Sequence, residues 1–75
     1  MDVKYKFDPQ MYKIVGKNIA AFRQKRNLTI EELSKYADIK ATLLKKYEKG
    51  ESTISIYELY KISIILNYSI DQFFN

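Results

Sequence analysis

The residues of this chain that could do chemistry are its cations. Ten lysines and arginines fall within residues 13–49, against four acids, Glu31, Glu32, Asp38 and Glu48, a local net charge of +6. Residues 1–12 balance to zero, and residues 50–75 carry −2. Basic charge gathered in one stretch suits contact with a polyanion, because ammonium and guanidinium groups displace the counterions condensed on phosphates. A solvated lysine-rich surface is the other reading of the same charge. The chain contains no histidine and no cysteine. The commonest general base, the commonest metal ligand and every Ser–His or Cys–His nucleophile are therefore missing. No disulfide framework or thiolate zinc site is available either. With no nucleophile–base pair and no metal cluster, an enzyme is not expected, and no cofactor, metal or small-molecule ligand is inferred.

The elements that must carry these cations are helical. Two glycines and one proline in 75 residues leave few turns, which points to an all-α domain of one small core. Asp8-Pro9 is a helix start, since Asp can cap and Pro suits the first helical position. Met11, Val15, Ile19 and Phe22 then share one helical face, and Asn27 tolerates the left-handed backbone that ends a helix. This predicts a first helix over 9–26. Three capping boxes follow, in which a Ser or Thr is answered three residues later by Glu or Gln: Thr29 with Glu32, Ser55 with Glu58, and Ser69 with Gln72. They predict helices over 30–37, 56–66 and 70–74. Between the first two boxes, the run up to Gly50 predicts a helix over 41–49. Only Asp38 to Lys40 separate it from the helix before, so the pair reads as a helix-turn-helix, with Asp38 able to take a positive φ.

The ordered string resembles the lambda-repressor-like, Cro-like helix-turn-helix domains of bacterial and phage regulators. The resemblance covers about residues 14–74. It is carried by Val15-Gly16-Lys17-Asn18-Ile19, Phe22-Arg23, Leu28-Thr29-Ile30-Glu31-Glu32-Leu33-Ser34, Ile39, Leu44, Tyr47-Glu48-Lys49-Gly50, Leu59-Tyr60-Lys61-Ile62 and Leu66-Asn67-Tyr68-Ser69-Ile70-Asp71. It implies a compact five-helix domain over 9–75, preceded by an N-terminal arm, 1–8. This chain departs from the pattern at Ile30 (often Gln), Ser34 (often Ala), Asp38 (often Gly) and Lys40 (usually Ser or Thr, and here without a capping oxygen).

The resemblance also assigns roles. It pairs Arg23 with Glu48, tying the third helix to the first. The third helix becomes the reader of double-stranded DNA. Val15, Ile19, Phe22, Leu33, Ala37, Ile39, Leu44 and Tyr47 are expected in the core. Ala41, Thr42, Lys45 and Lys46 are expected to meet base edges in the major groove, where Lys suits guanine O6 and N7, and Ala or the Thr methyl suits thymine. Lys17, Thr29, Lys40 and Lys49 are expected at phosphates, which set register without carrying sequence information. Leu43 is grouped with these backbone-facing residues. It is expected on the outward side, where the family usually has a polar residue, so a thymine methyl or a protein partner are its other readings.

The helix over 56–66 shows two apolar stripes. Ile56, Leu59, Ile62 and Leu66 form the expected core face. Tyr57, Tyr60, Ile64 and Tyr68 form another, and a lone amphipathic helix needs only one. With Phe74 (or Phe73), the second stripe is expected to make a homodimer, which would set two reading helices about 34 Å apart on a palindromic operator. In the arm, Met1 to Phe7 alternates apolar and charged residues and has three roles open to it: packing on the core, reaching along DNA with Lys4 and Lys6, or staying loose. At 75 residues, no separate sensor domain is expected. No apolar run approaches a membrane span, and Met1 to Lys6 has no apolar leader, so a cytoplasmic, bacterial or phage-encoded regulator is expected. A Cro-like repressor and a restriction–modification controller both fit. The competing reading is a protein-interaction module that kept the fold and lost specific DNA binding.

Overall fold

The computed structural model describes residues 9–75. The expected arm at 1–8, with Lys4, Lys6 and the Asp8 cap, lies outside the described residues. Four α-helices are present among them: α1 (Pro9–Lys25), α2 (Ile30–Ala37), α3 (Ala41–Glu48) and α4 (Ile56–Leu66). The fifth expected helix, Ile70–Phe74, is a 3₁₀ turn rather than an α-helix. Its Gln72 N–H donates to the Ser69 carbonyl at 3.0 Å. A segment of one turn closes more readily with i to i+3 bonds than with the longer α-helical ones.

The capping boxes fold as the sequence pattern implies. The Thr29 hydroxyl accepts from the Glu32 amide at 3.0 Å, while the Glu32 carboxylate accepts from the Thr29 amide at 2.9 Å. Ser55 and Glu58 repeat the exchange at the start of α4, at 3.1 and 3.3 Å. In the last box, Gln72 Oε1 accepts from both the amide and the hydroxyl of Ser69.

The helix ends share a second device. Asn27, Asp38 and Asn67 take φ of 57°, 55° and 58°, and Gly50 takes 70°. After each, the next residue donates back to a carbonyl five positions earlier: Leu28 to Arg23, Ile39 to Ser34, Glu51 to Lys46 and Tyr68 to Ser63. This bond satisfies a carbonyl that the helix itself leaves open.

The core contains Val15, Ile19, Leu33, Ala37, Ile39, Leu44, Tyr47, Leu59, Ile62, Leu66 and Phe73. Two expectations are corrected. Phe22 is half-buried at the margin, stacked on Tyr68 at 3.9 Å and edge-on to Phe73 at 5.0 Å. Ile56 is 59% exposed. Ile54, just before the helix, packs against the core. Buried Ser63 satisfies its hydroxyl on the Tyr60 carbonyl at 2.6 Å.

Candidate nucleic-acid interface

The turn between α2 and α3 comes first, because it aims α3. Asp38 holds it in the left-handed conformation that Gly adopts more cheaply. Ser34 supplies a compensating bond that Ala could not: its hydroxyl donates to the Ile39 carbonyl. Lys40 caps α3 with no side-chain bond, so the amides of the first turn of α3 have no side-chain partner from their cap.

Two neighbours then grip the far end of α3. From α1, Gly16 faces the carbonyls of Tyr47 and Glu48 so closely that a Cβ would stand 2.1 Å from the Tyr47 oxygen. Two turns along, Arg23 forks onto Glu48, Nε to Oε2 at 2.7 Å and Nη2 to Oε1 at 3.0 Å, and Nη1 donates to the Leu28 carbonyl at 2.8 Å. The Glu48 hydrogen bond and charge raise the guanidinium pKa against the opposing effect of burial. From α4, Glu58 accepts the Tyr47 hydroxyl at 2.7 Å. Burial, then the Glu58 bond and charge, push the Tyr47 phenol well up. Burial also works to raise the Glu58 carboxyl. The Tyr47 bond, the amide and hydroxyl of Ser55, and Lys61 outweigh it and hold the carboxyl below its ordinary value.

With Leu44 and Tyr47 buried, Thr42, Lys45, Lys46 and Lys49 are exposed on the opposite arc of α3, and Ala41 is half-exposed. No ion pair among the described residues holds any of these lysines. On α1, the backbone and stem of exposed Lys13 lie against Gly50, just past α3, and exposed Lys17 follows Gly16. Lys40 and Thr29 are exposed at the starts of α3 and α2. Leu43 is a correction: it is half-buried and packs against the core instead of facing outward. The helical rotation explains this. It places residue 43 on the flank of α3 between buried Tyr47 and exposed Lys46.

Tyr57, Tyr60 and Ile64 are exposed on α4, at 67%, 54% and 59%. Tyr68 and Phe74 are only half-exposed and pack against the core; Tyr68 is sandwiched between Phe22 and the Arg26 guanidinium, 4.5 Å from its ring centre. Phe73 is fully buried. Not anticipated from sequence were the close packing at Gly16, the Tyr47–Glu58 bond, and two structural ties. Arg26, counted there as polyanion charge, instead donates to the carbonyls of Leu66 and Asn67 and closes the end of α4. Asn18 donates to the carbonyls of Phe73 and Asn75. A glycine inside a helix pattern was the one available hint of Gly16, since it can mark a close approach of another backbone.

The Helix-turn-helix (HTH_3) family matches this chain over residues 19–73, which include α2, α3 and the turn between them. The chain belongs to that family. Among curated proteins, it is 35% identical over 60 residues to an uncharacterised HTH-type transcriptional regulator of Rickettsia conorii. The match takes in 80% of this chain but 48% of the relative, so the chain spans about half that protein's length. Two solved structures share the fold. The restriction-modification controller protein C.AhdI from Aeromonas hydrophila superposes with TM-score 0.80 at 17% identity, over 84% of this chain and 96% of its own. SinR, a master regulator for biofilm formation solved in complex with DNA, gives 0.77 at 24% identity, over 81% and 98%. No described helix is long and apolar enough to cross a membrane.

Proposed function

We propose that this protein is a DNA-binding transcription regulator, acting in the bacterial cytoplasm, that lays α3 in the major groove. The observation that carries the reading is the two-sided character of α3. One face is fixed to α1 and α4, while the other carries Thr42, Lys45, Lys46 and Lys49 into solvent. Side chains that read bases must be accessible, and the backbone beneath them must be held still. Ala41, Thr42, Lys45 and Lys46 meet base edges; Lys17, Lys40, Lys49 and the Thr29 hydroxyl meet phosphates. The Thr29 oxygen accepts within its cap, which leaves its O–H to donate.

The regulator works as a homodimer, joined through the exposed arc of α4 at Tyr57, Tyr60 and Ile64, with Tyr68 and Phe74 at its edge. A two-fold pair of this kind reads a palindromic site with half-sites about one helical turn apart.

Selection of bound fragments from random DNA tests both halves at once. A palindromic consensus is the expected result. Affinity should fall with salt at a slope of about −0.9 per phosphate contact. Retention of no fragment above background would refute DNA reading, and an asymmetric consensus would refute the symmetric dimer.

A further inference from the structure

We infer that Tyr47 and Glu58 are positioning residues that fix the roll of α3 about its own axis, and that this roll controls how well the protein distinguishes its site from other DNA. The inference rests on the reading of α3 given above.

A rod held along one line can still rotate about it. Gly16 and the Arg23–Glu48 fork hold α3 on the side of α1. Tyr47 precedes Glu48 by one residue, so it points about 100° away around the axis. Its hydroxyl is held by a different helix, at 2.7 Å from Glu58 Oε1. Two attachments at that angle stop the roll that either alone would allow. The acceptor is itself held, because the same oxygen takes the Ser55 amide at 3.3 Å and the Ser55 hydroxyl at 3.1 Å in the cap of α4. A carboxylate is also favoured at a helix N-terminus. The bond therefore acts as a strut between two elements.

The consequence falls on base contacts. A roll of about 20° moves a side-chain end about 6 Å from the axis through roughly 2 Å. That breaks a hydrogen bond, whose donor and acceptor must lie within about 3.2 Å. The short Ala41 and Thr42 side chains cannot follow that shift, whereas lysine contacts to phosphate ride on long flexible stems and survive it. Loss of the strut therefore lowers affinity for the chosen site and leaves affinity for random duplex unchanged.

The experiment compares the full chain with Tyr47→Phe, Glu58→Ala, Glu58→Gln and Asn18→Ala, at a temperature where circular dichroism shows each folded. Affinities are measured for the selected site and for random duplex. Tyr47→Phe and Glu58→Ala should cut the ratio of the two about tenfold, the equivalent of one hydrogen bond to a charged group. Glu58→Gln keeps an acceptor oxygen and should restore most of the ratio. Asn18→Ala removes bonds on the opposite side of α1 and should lower the melting temperature without changing the ratio. An unchanged ratio in folded Tyr47→Phe would overturn the inference. So would an equal loss in Asn18→Ala, which would reduce the effect to general stability. If the unaltered protein prefers no DNA, the earlier reading fails instead. Amide exchange then decides the strut: acceleration confined to α3 in Tyr47→Phe supports it, and unchanged or uniform exchange overturns it.

Discussion

Two arginines three residues apart, Arg23 on α1 and Arg26 just past its end, do different work. Arg23 spends its donors on Glu48 and the Leu28 carbonyl, with side-chain exposures of only 12% and 10% for the ion pair. Arg23→Ala leaves the Glu48 carboxylate enclosed without a partner, and the loss in urea unfolding should approach about 3 kcal/mol. Arg23→Lys should recover little of it, because one ammonium cannot replace the planar fork. The resemblance made this pair legible. It could not reveal Arg26, because charge in a sequence does not say whether a guanidinium faces water or a helix carbonyl. On the proposed reading, the cations of α3 and its C-cap Lys49 separate by role. Lys46→Ala should weaken specific binding by about 1–3 kcal/mol and relax preference at one base position. Lys49→Ala should weaken all duplexes alike and reduce the salt slope by about 0.9. Binding titrations on site and variant duplexes read both, and an unaltered operator preference in Lys46→Ala removes it from the reading face.

At the scale of elements, the helix boundaries were legible because local chemistry sets them. Thr29 and Ser55 cap through their own side chains, and Asn27, Asp38 and Asn67 end helices by taking a backbone turn that their short polar side chains tolerate. The tightness of the last turn was not legible, since the Ser69 box opens an α-helix and a 3₁₀ turn alike. Nor was the exposure of Ile56, because periodicity names a face without saying which neighbour reaches it. The α3–α4 strut also gives the domain an acid dependence. Glu58 is held below its ordinary value in the folded chain, so its contribution is present above the unfolded carboxyl range, about pH 4.3, and is lost as pH falls below it. Tyr47→Phe removes one of the bonds that lower it. Stability at neutral pH should fall by about 1 kcal/mol, and the decline on acidification should become shallower. Melting curves from pH 7 to pH 3 test this, and an unchanged slope would show that Ser55 and Lys61 alone hold the carboxyl.

At the scale of the whole molecule, the fold leaves α4 with a core side and an exposed apolar side. Ile64 stands 59% exposed between Tyr60 and Tyr68, on the rim of a groove of about 410 Å³ completed by Ser69 and Ile70. A buried charge would be intolerable there in a dimer, while a monomer would barely register it. Ile64→Asp should therefore sediment as a folded monomer and lose cooperative binding to a two-fold site. If it sediments like the unaltered protein, the subunit contact lies elsewhere. Two apolar stripes on one helix were visible in the sequence. Their division of labour was not, because Tyr68 turned from the outer stripe to stack on Phe22.

Asn18 bears on handling the protein. Its amide clasps the carbonyls of Phe73 and Asn75, and it lies two residues beyond Gly16, about 200° around α1 from the side that meets α3. A dye, an affinity handle or a surface linker joined at Asn75 would leave the molecule from the back, turned away from any duplex lying on the lysines. Immobilised through Asn75, the protein would still offer Thr42, Lys45 and Lys46 to solution.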